Sequence, residues 1–148
     1  MSYQEKKVMV SIISSILIFT LYSIYAINHA EEGSITSASD FRFWGSFILI
    51  LLPVSIAAKI VIHIGFVIFN KIATNEDEPS FEDEFDKLIE LKADRISLYV
   101  FFFGFILSMI PLVTELPTYL TFVALIFFGF LSDLMGRIAQ LYFYRKGV

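Results

Sequence analysis

The chain has 148 residues, one domain's length, and 57% of them are hydrophobic, with a mean hydropathy of +0.73. Soluble domains run at roughly 45–50% apolar usage, so a soluble core of this size cannot absorb the surplus and lipid must solvate much of it. The net charge of -4 is modest, and the absence of cysteine excludes disulfides, thiol catalysis and cysteine metal sites.

In chain order, a short polar start ending in Lys6 and Lys7 leads into residues 8–27, an uncharged and mostly apolar run. Its length of about 20 residues is what a helix needs to cross a hydrocarbon core. A cleavable signal peptide is the rival reading. Asn28-His29-Ala30 is a poor small-residue cleavage site and the run is too long for a signal's apolar region, so a retained span is favoured. Ser11, Ser14 and Ser15 give this span a small-residue face suited to close helix contact.

Residues 28–42 read as a polar loop, and residues 43–69 as the second span, longer than one crossing requires, with Trp44 as an interfacial anchor and Pro53 as a potential kink. Residues 96–113 form the third span, rich in Phe, with Gly104 and Ser108 as a small-residue pair. After the turn Thr114-Glu115-Leu116-Pro117, residues 118–137 form the fourth span. The tail then carries Tyr142, Tyr144, Arg145 and Lys146, which read as an interfacial belt.

Residues 74–95 are the one long polar passage, and they hold Glu76, Asp77, Glu78, Glu82, Asp83, Glu84, Asp86, Glu90 and Asp94, nine of the fifteen acidic residues. Pro79 breaks the helix before it, Ser80 suits an N-cap, and Glu82, Asp83 and Glu84 fall in the first turn, where the helix dipole favours negative charge. Phe81, Phe85, Leu88, Ile89 and Lys92 recur at helical spacing. No Gly or Pro interrupts residues 81–103, which predicts one helix running from the acidic segment through the third span and projecting about 20 Å beyond the membrane. A separate helix lying on the membrane surface is disfavoured by its acidity near anionic lipids.

Four spans place Lys6, Lys7, Lys71, Lys87, Lys92, Arg95, Arg137, Arg145 and Lys146 on one side, nine of the eleven basic residues, against Arg42 alone on the other. The positive-inside rule counts basic residues and not net charge, so both termini and the acidic segment are expected in the cytoplasm. The expected fold is an all-α membrane protein, a single four-helix transmembrane bundle of two hairpins joined by an acidic cytoplasmic helix continuous with the third span. The plasma membrane is the expected location.

Three short stretches carry a resemblance: Ser2-Tyr3-Gln4-Glu5-Lys6-Lys7, Asp83-Glu84-Phe85-Asp86-Lys87-Leu88-Ile89 and Tyr144-Arg145-Lys146-Gly147-Val148. They resemble a group of small bacterial four-span membrane proteins with no established activity. Members are often encoded beside small helix-turn-helix transcription regulators, which implies a regulatory partnership. The chain departs from that pattern at Phe85, where such proteins commonly carry Arg. The resemblance implies fold and topology and offers no catalytic residue.

Two polar groupings sit within spans. Ser55, Lys59 and His63 line one face of the second, and Ser132, Asp133, Gly136, Arg137 and Gln140 lie largely on one face of the fourth. Lys59 and Asp133 fall roughly 24 and 22 Å below the outer ends of their spans. The favoured arrangement has Lys59 snorkelling to the inner headgroups while Asp133 pairs with Arg137. A structural Lys59–Asp133 pair and a working ion or proton site including His63 are the alternatives.

Nothing in the sequence supplies a nucleophile, a Gly-rich phosphate loop, a GxSxG or HExxH motif, or calcium-loop spacing among the acids. With two His on opposite sides of the membrane, no metal, cofactor or catalytic residue is expected. The favoured function is a non-enzymatic regulatory or sensory membrane protein. It would dock a basic helix-turn-helix regulator through Glu82, Asp83, Glu84, Asp86 and Glu90, without touching nucleic acid directly. The alternative is a small transporter or channel subunit, a homo-oligomer assembled through the Gly129/Gly136 and Gly104/Ser108 faces.

Overall fold

A computed structural model describes residues 1–79 and 83–147, and among these there are helices and no strands. The helices are α1 (Tyr3–Asn28), α2 (Arg42–Thr74), α3 (Glu84–Ser108), α4 (Ile110–Val113) and α5 (Tyr119–Lys146). Four of them, with α3 and α4 counted together, are long and apolar enough to cross a membrane. Exposed Leu, Ile, Val and Phe side chains run along all four, which is the surface lipid would cover. The protein is a multi-pass membrane protein. The end of the bundle holding the acidic segment also holds the start of α1 and the end of α5; we call it the acidic end.

Each helix outruns the apolar stretch that predicts it. At 1.5 Å per residue, the 33 residues of α2 span about 50 Å, against a hydrocarbon core of about 30 Å. The polar ends keep helical geometry because neighbouring helices support them. Thus α5 does not stop at residue 137 and continues through the aromatic tail to Lys146, whose ammonium lies 5.2 Å from the Tyr142 ring centre. α2 runs unbroken through Pro53. The third span, in contrast, divides at Met109, because Pro111 has no N–H to give the preceding turn and heads the short helix α4.

The acidic segment and the third span do share one helix. It begins at Glu84 with Asp83 as its cap, where the Asp86 carboxylate accepts the Asp83 N–H at 3.3 Å. The earlier start expected at Ser80 and Phe81 lies outside the described residues, as does Glu82. The part of this helix expected beyond the membrane does not stand alone but packs against α5. Ile89 is fully buried and Ala93 nearly so, and with Ser97, Gly104 and Ser108 they form a small-residue seam that lies against α5. Phe85 and Leu88, expected to share the apolar stripe, are instead exposed. The helix is a wall of the bundle at its acidic end as well.

The long α3–α5 seam depends on missing side chains. A Cβ on Gly104 would run into the Cβ and ring of Phe128, and one on Gly136 would sit 3.1 Å from the Ser97 Cβ. Ser108 donates its hydroxyl to the Gly104 carbonyl at 2.7 Å, so its polarity is satisfied within its own helix. α1 packs against both α2 and α5, with Phe19 stacked on Phe130 at 4.2 Å between ring centres. The order across the bundle is therefore α2, α1, α5, α3.

Trp44 is turned inward and not outward as an interfacial anchor would be. Only 6% of it is exposed; its indole N–H donates to the Ile35 carbonyl at 3.1 Å, and its ring lies parallel to Phe122. The indole ties the loop before α2 to the end of the bundle away from the acidic segment. As the chain's one tryptophan, it reports on that closure. Its emission is expected to be blue-shifted and weakly quenched by iodide in detergent, and Trp44→Phe is expected to lower stability by about 1 kcal/mol through loss of the hydrogen bond. Iodide quenching as strong as that of free indole would refute the inward placement.

Candidate functional site

Asp133, from the middle of α5, draws in three helices. Its Oδ2 accepts the Ser15 hydroxyl of α1 at 3.1 Å and the Lys59 ammonium of α2 at 3.2 Å. Its Oδ1 faces the Arg137 Nε one turn along α5, at 3.9 Å. The arrangement follows from depth: Lys59 and Asp133 lie at similar heights on facing helices, and a carboxylate between two cations in an apolar setting lowers the cost of all three. Lys59 therefore reaches across the bundle rather than snorkelling to the headgroups. Asp133 pairs with Lys59 and Arg137 together, so the two arrangements treated as alternatives coexist in part.

Pairing through side chains matters here because α2 leans closely on α1 alone. Between α2 and the α3–α5 pair the structure leaves space, bridged at the far end, where Phe41 and Trp44 meet Phe122, and in the middle, where Lys59 meets Asp133. At the acidic end the 75–79 connection joins α1 to α2: the Glu78 carboxylate lies 3.4 Å from the His63 Nε2 and 3.9 Å from the Lys7 ammonium.

The Lys59–Asp133 pair separates two cavities. On the acidic side is a polar cavity of about 260 Å³, lined by Lys7, Lys59, His63, Asp86, Glu90 and Arg137 together with Gln4, Gln140, Tyr144 and the Ser11 and Ser14 face of α1. On the other side is an apolar cavity of about 620 Å³ among Ile18, Phe19, Leu51, Leu52, Phe101, Phe105, Ile126 and Phe130, with Lys59 and Asp133 at one end. Lys59 belongs to both. The volume of the larger cavity lies within the roughly 300–1,000 Å³ range of small-molecule sites.

Of the residues singled out in the sequence, Lys59, Asp133 and Arg137 come together as one cluster, and His63 stands one turn from Lys59 against Glu78. Ser55 lines the apolar cavity and is not part of the ion-paired group. The acidic residues divide by role. Asp83 and Asp86 form the cap of α3, and Asp86 also accepts the Gln4 side-chain amide at 3.4 Å. Glu84, Glu90 and Asp94 are exposed, and Glu90 also lines the polar cavity. Sequence reasoning missed Ser15, Lys7, Gln4 and Glu78 as members of the site. The serine face of α1 was the one signal available for Ser15; Glu78 sits in a connection with no periodicity to place it. Gly104, Ser108 and Gly136, expected at an oligomer contact, are instead enclosed between α3 and α5, while a Cβ on Gly129 would meet open space.

No protein-family model, curated protein or solved structure matches the chain. The site's own geometry therefore carries the functional argument. Among the described residues, no three His, Asp or Glu side chains converge as a metal ion would need. What the arrangement offers is binding chemistry: fixed charges of both signs, hydrogen-bonding side chains, and an apolar chamber beside them.

Proposed function

We propose that the chain is a non-enzymatic regulatory or sensory protein of a bacterial plasma membrane, with its acidic end and both termini in the cytoplasm. The orientation rests on the nine basic residues that four crossings put on that side. The observation that carries the reading is the double use of α3 at its acidic end. Asp86 and Glu90 line the polar cavity, while Asp83, Glu84 and Asp94 are open to solvent. A partner docked on the open carboxylates and a ligand in the cavity would share one rigid helix, which is the coupling a sensor needs. The partner is a small helix-turn-helix regulator, suggested by the resemblance of the chain's short motifs and electrostatically suited to an acidic surface. It would bind nucleic acid in the protein's place.

Copurification of a helix-turn-helix regulator with the tagged full chain tests this. Glu84→Gln with Asp94→Asn is expected to abolish it and leave melting unchanged, since neither residue caps the helix or makes an ion pair among the described residues. Full retention of the regulator by that double variant, or its absence from the native protein, would sink the reading.

A second reading, a transporter or channel subunit, is favoured by one observation: the Lys59–Asp133 pair lies between two cavities. Ion flux through proteoliposomes that Lys59→Ala abolishes would support it over the first.

A further inference from the structure

The polar cavity holds charges of both signs, contributed by different helices. α3 contributes Asp86 and Glu90, whereas Lys7, Lys59 and Arg137 come from α1, α2 and α5. Among the described residues no ion pair crosses from the first group to the second: Lys7 pairs with Glu78, and Lys59 and Arg137 with Asp133. Glu90 has no hydrogen-bond or ion-pair partner among them, and Arg137 has one distant carboxylate at 3.9 Å and one long hydrogen bond to Gln140 at 3.4 Å. A guanidinium presents five N–H donors, so most of its capacity faces the cavity unmet. Charges of both signs that line one cavity without pairing to each other are matched by an occupant that carries both signs.

The occupant's other end is set by the apolar cavity, which meets the polar one at Lys59. We propose that the two cavities together bind a zwitterionic amphiphile of the phosphoethanolamine class. Its phosphate lies against Arg137 and Lys7, its ammonium against Glu90 and Asp86, and its acyl chain passes the Lys59–Asp133 pair into the chamber lined by Phe101, Phe105 and Phe130. A wholly anionic head would leave Glu90 opposed by like charge, and a wholly neutral one would leave both signs unmatched. An occupant without a chain would leave the larger cavity unfilled. The proposal concerns the Asp86 and Glu90 carboxylates that line the cavity and not the Glu84 and Asp94 pair, and it goes beyond the docking reading. Lipid binding without any copurifying regulator would uphold this site while that reading fails.

The test uses the full chain in a neutral maltoside micelle and three myristoyl probes that differ only in the head: lysophosphatidylethanolamine, lysophosphatidic acid and monomyristoylglycerol. Saturable binding is followed by native mass spectrometry and by Trp44 fluorescence. The phosphoethanolamine head is expected to bind about tenfold tighter than the glycerol head, the scale of one or two charge-assisted hydrogen bonds. Glu90→Gln should remove its advantage over the phosphatidic head, and Arg137→Gln should lower both phosphate heads toward the glycerol one. Because Arg137 also touches Asp133, a second variant guards against misfolding: Gly129→Leu adds bulk where a Cβ meets open space beside the apolar cavity. It should weaken all three probes alike. Equal affinity for the three heads, non-saturable uptake that marks partitioning into the micelle, or equal competition by soluble phosphoethanolamine would each overturn the proposal.

Discussion

Asp133→Ala is expected to destabilise the bundle by about 1–3 kcal/mol in detergent or bicelles. The alanine removes the one counter-charge that Lys59 and Arg137 have among the described residues, together with the acceptor of the Ser15 hydroxyl. Stranding one partner of a fully buried ion pair costs about 3–5 kcal/mol, and a charge at mid-membrane about 2.5–3.5 kcal/mol on insertion scales. The side chains here are more than a third exposed, and Lys and Arg stems can carry their charges toward the nearer interface, which brings the expectation below those figures. The diagnostic measurement is a double-mutant cycle. Lys59→Ala placed on Asp133→Ala should recover part of the loss, with a coupling of about 1 kcal/mol, because the second change removes one of the stranded cations. Asp133→Asn should fall between, keeping an acceptor for Ser15 but no charge for Lys59. Additive losses across the cycle would mean that the 3.2 Å contact contributes nothing to folding, and the view of α2 as tethered to α5 by that pair would fail with it.

The four crossings were legible in the chain because lipid imposes one dominant rule, a long uncharged helix, and residues 8–27, 43–69, 96–113 and 118–137 obey it. The continuity of the acidic segment with the third span was legible too, because no Gly or Pro separates them. What sequence could not give was partner choice between helices. Lys59 can snorkel or cross the bundle, and both satisfy its charge; the outcome depends on α1 lying between α2 and α5 and on Ser15 reaching the same carboxylate. Apolar periodicity also misjudged the acidic end. Phe85 and Leu88 match the stripe as well as Ile89 does, yet Ala93 and Ser97 mark the true seam, because close helix approach selects small side chains over large ones. Glu78 was unreadable for a different reason: a residue in a connection acquires its neighbours only after the helices on both sides are placed, and here those neighbours are His63 and Lys7.

That preference for small residues leads to the second large effect. Gly104→Ala is expected to cost about 1–3 kcal/mol, the range for forcing a methyl into a filled contact. Ordinarily glycine-to-alanine in a helix interior gains up to about 1 kcal/mol from propensity, so a net loss requires a steric term larger than that gain. The steric term comes from Phe128, whose Cβ, and not only its ring, lies where the new methyl would go. A ring can rotate away, whereas a Cβ moves only with its backbone, so α3 and α5 must separate along a seam that also includes Ala93, Ser97 and Gly136. Gly136→Ala should cost less, because its nearest neighbour is the Ser97 Cβ at 3.1 Å and a shift of a few tenths of an ångström accommodates it. Gly65→Ala provides the control, since a Cβ there meets nothing within 4 Å and the propensity gain should appear undiminished. Phe128→Gly combined with Gly104→Ala should relieve more of the steric loss than Phe128→Ala does, because alanine keeps the obstructing Cβ. If Gly104→Ala proves as harmless as Gly65→Ala in denaturant unfolding, the close approach of α3 to α5 is wrong. The acidic helix would then be freer to move than its buried Ile89 implies.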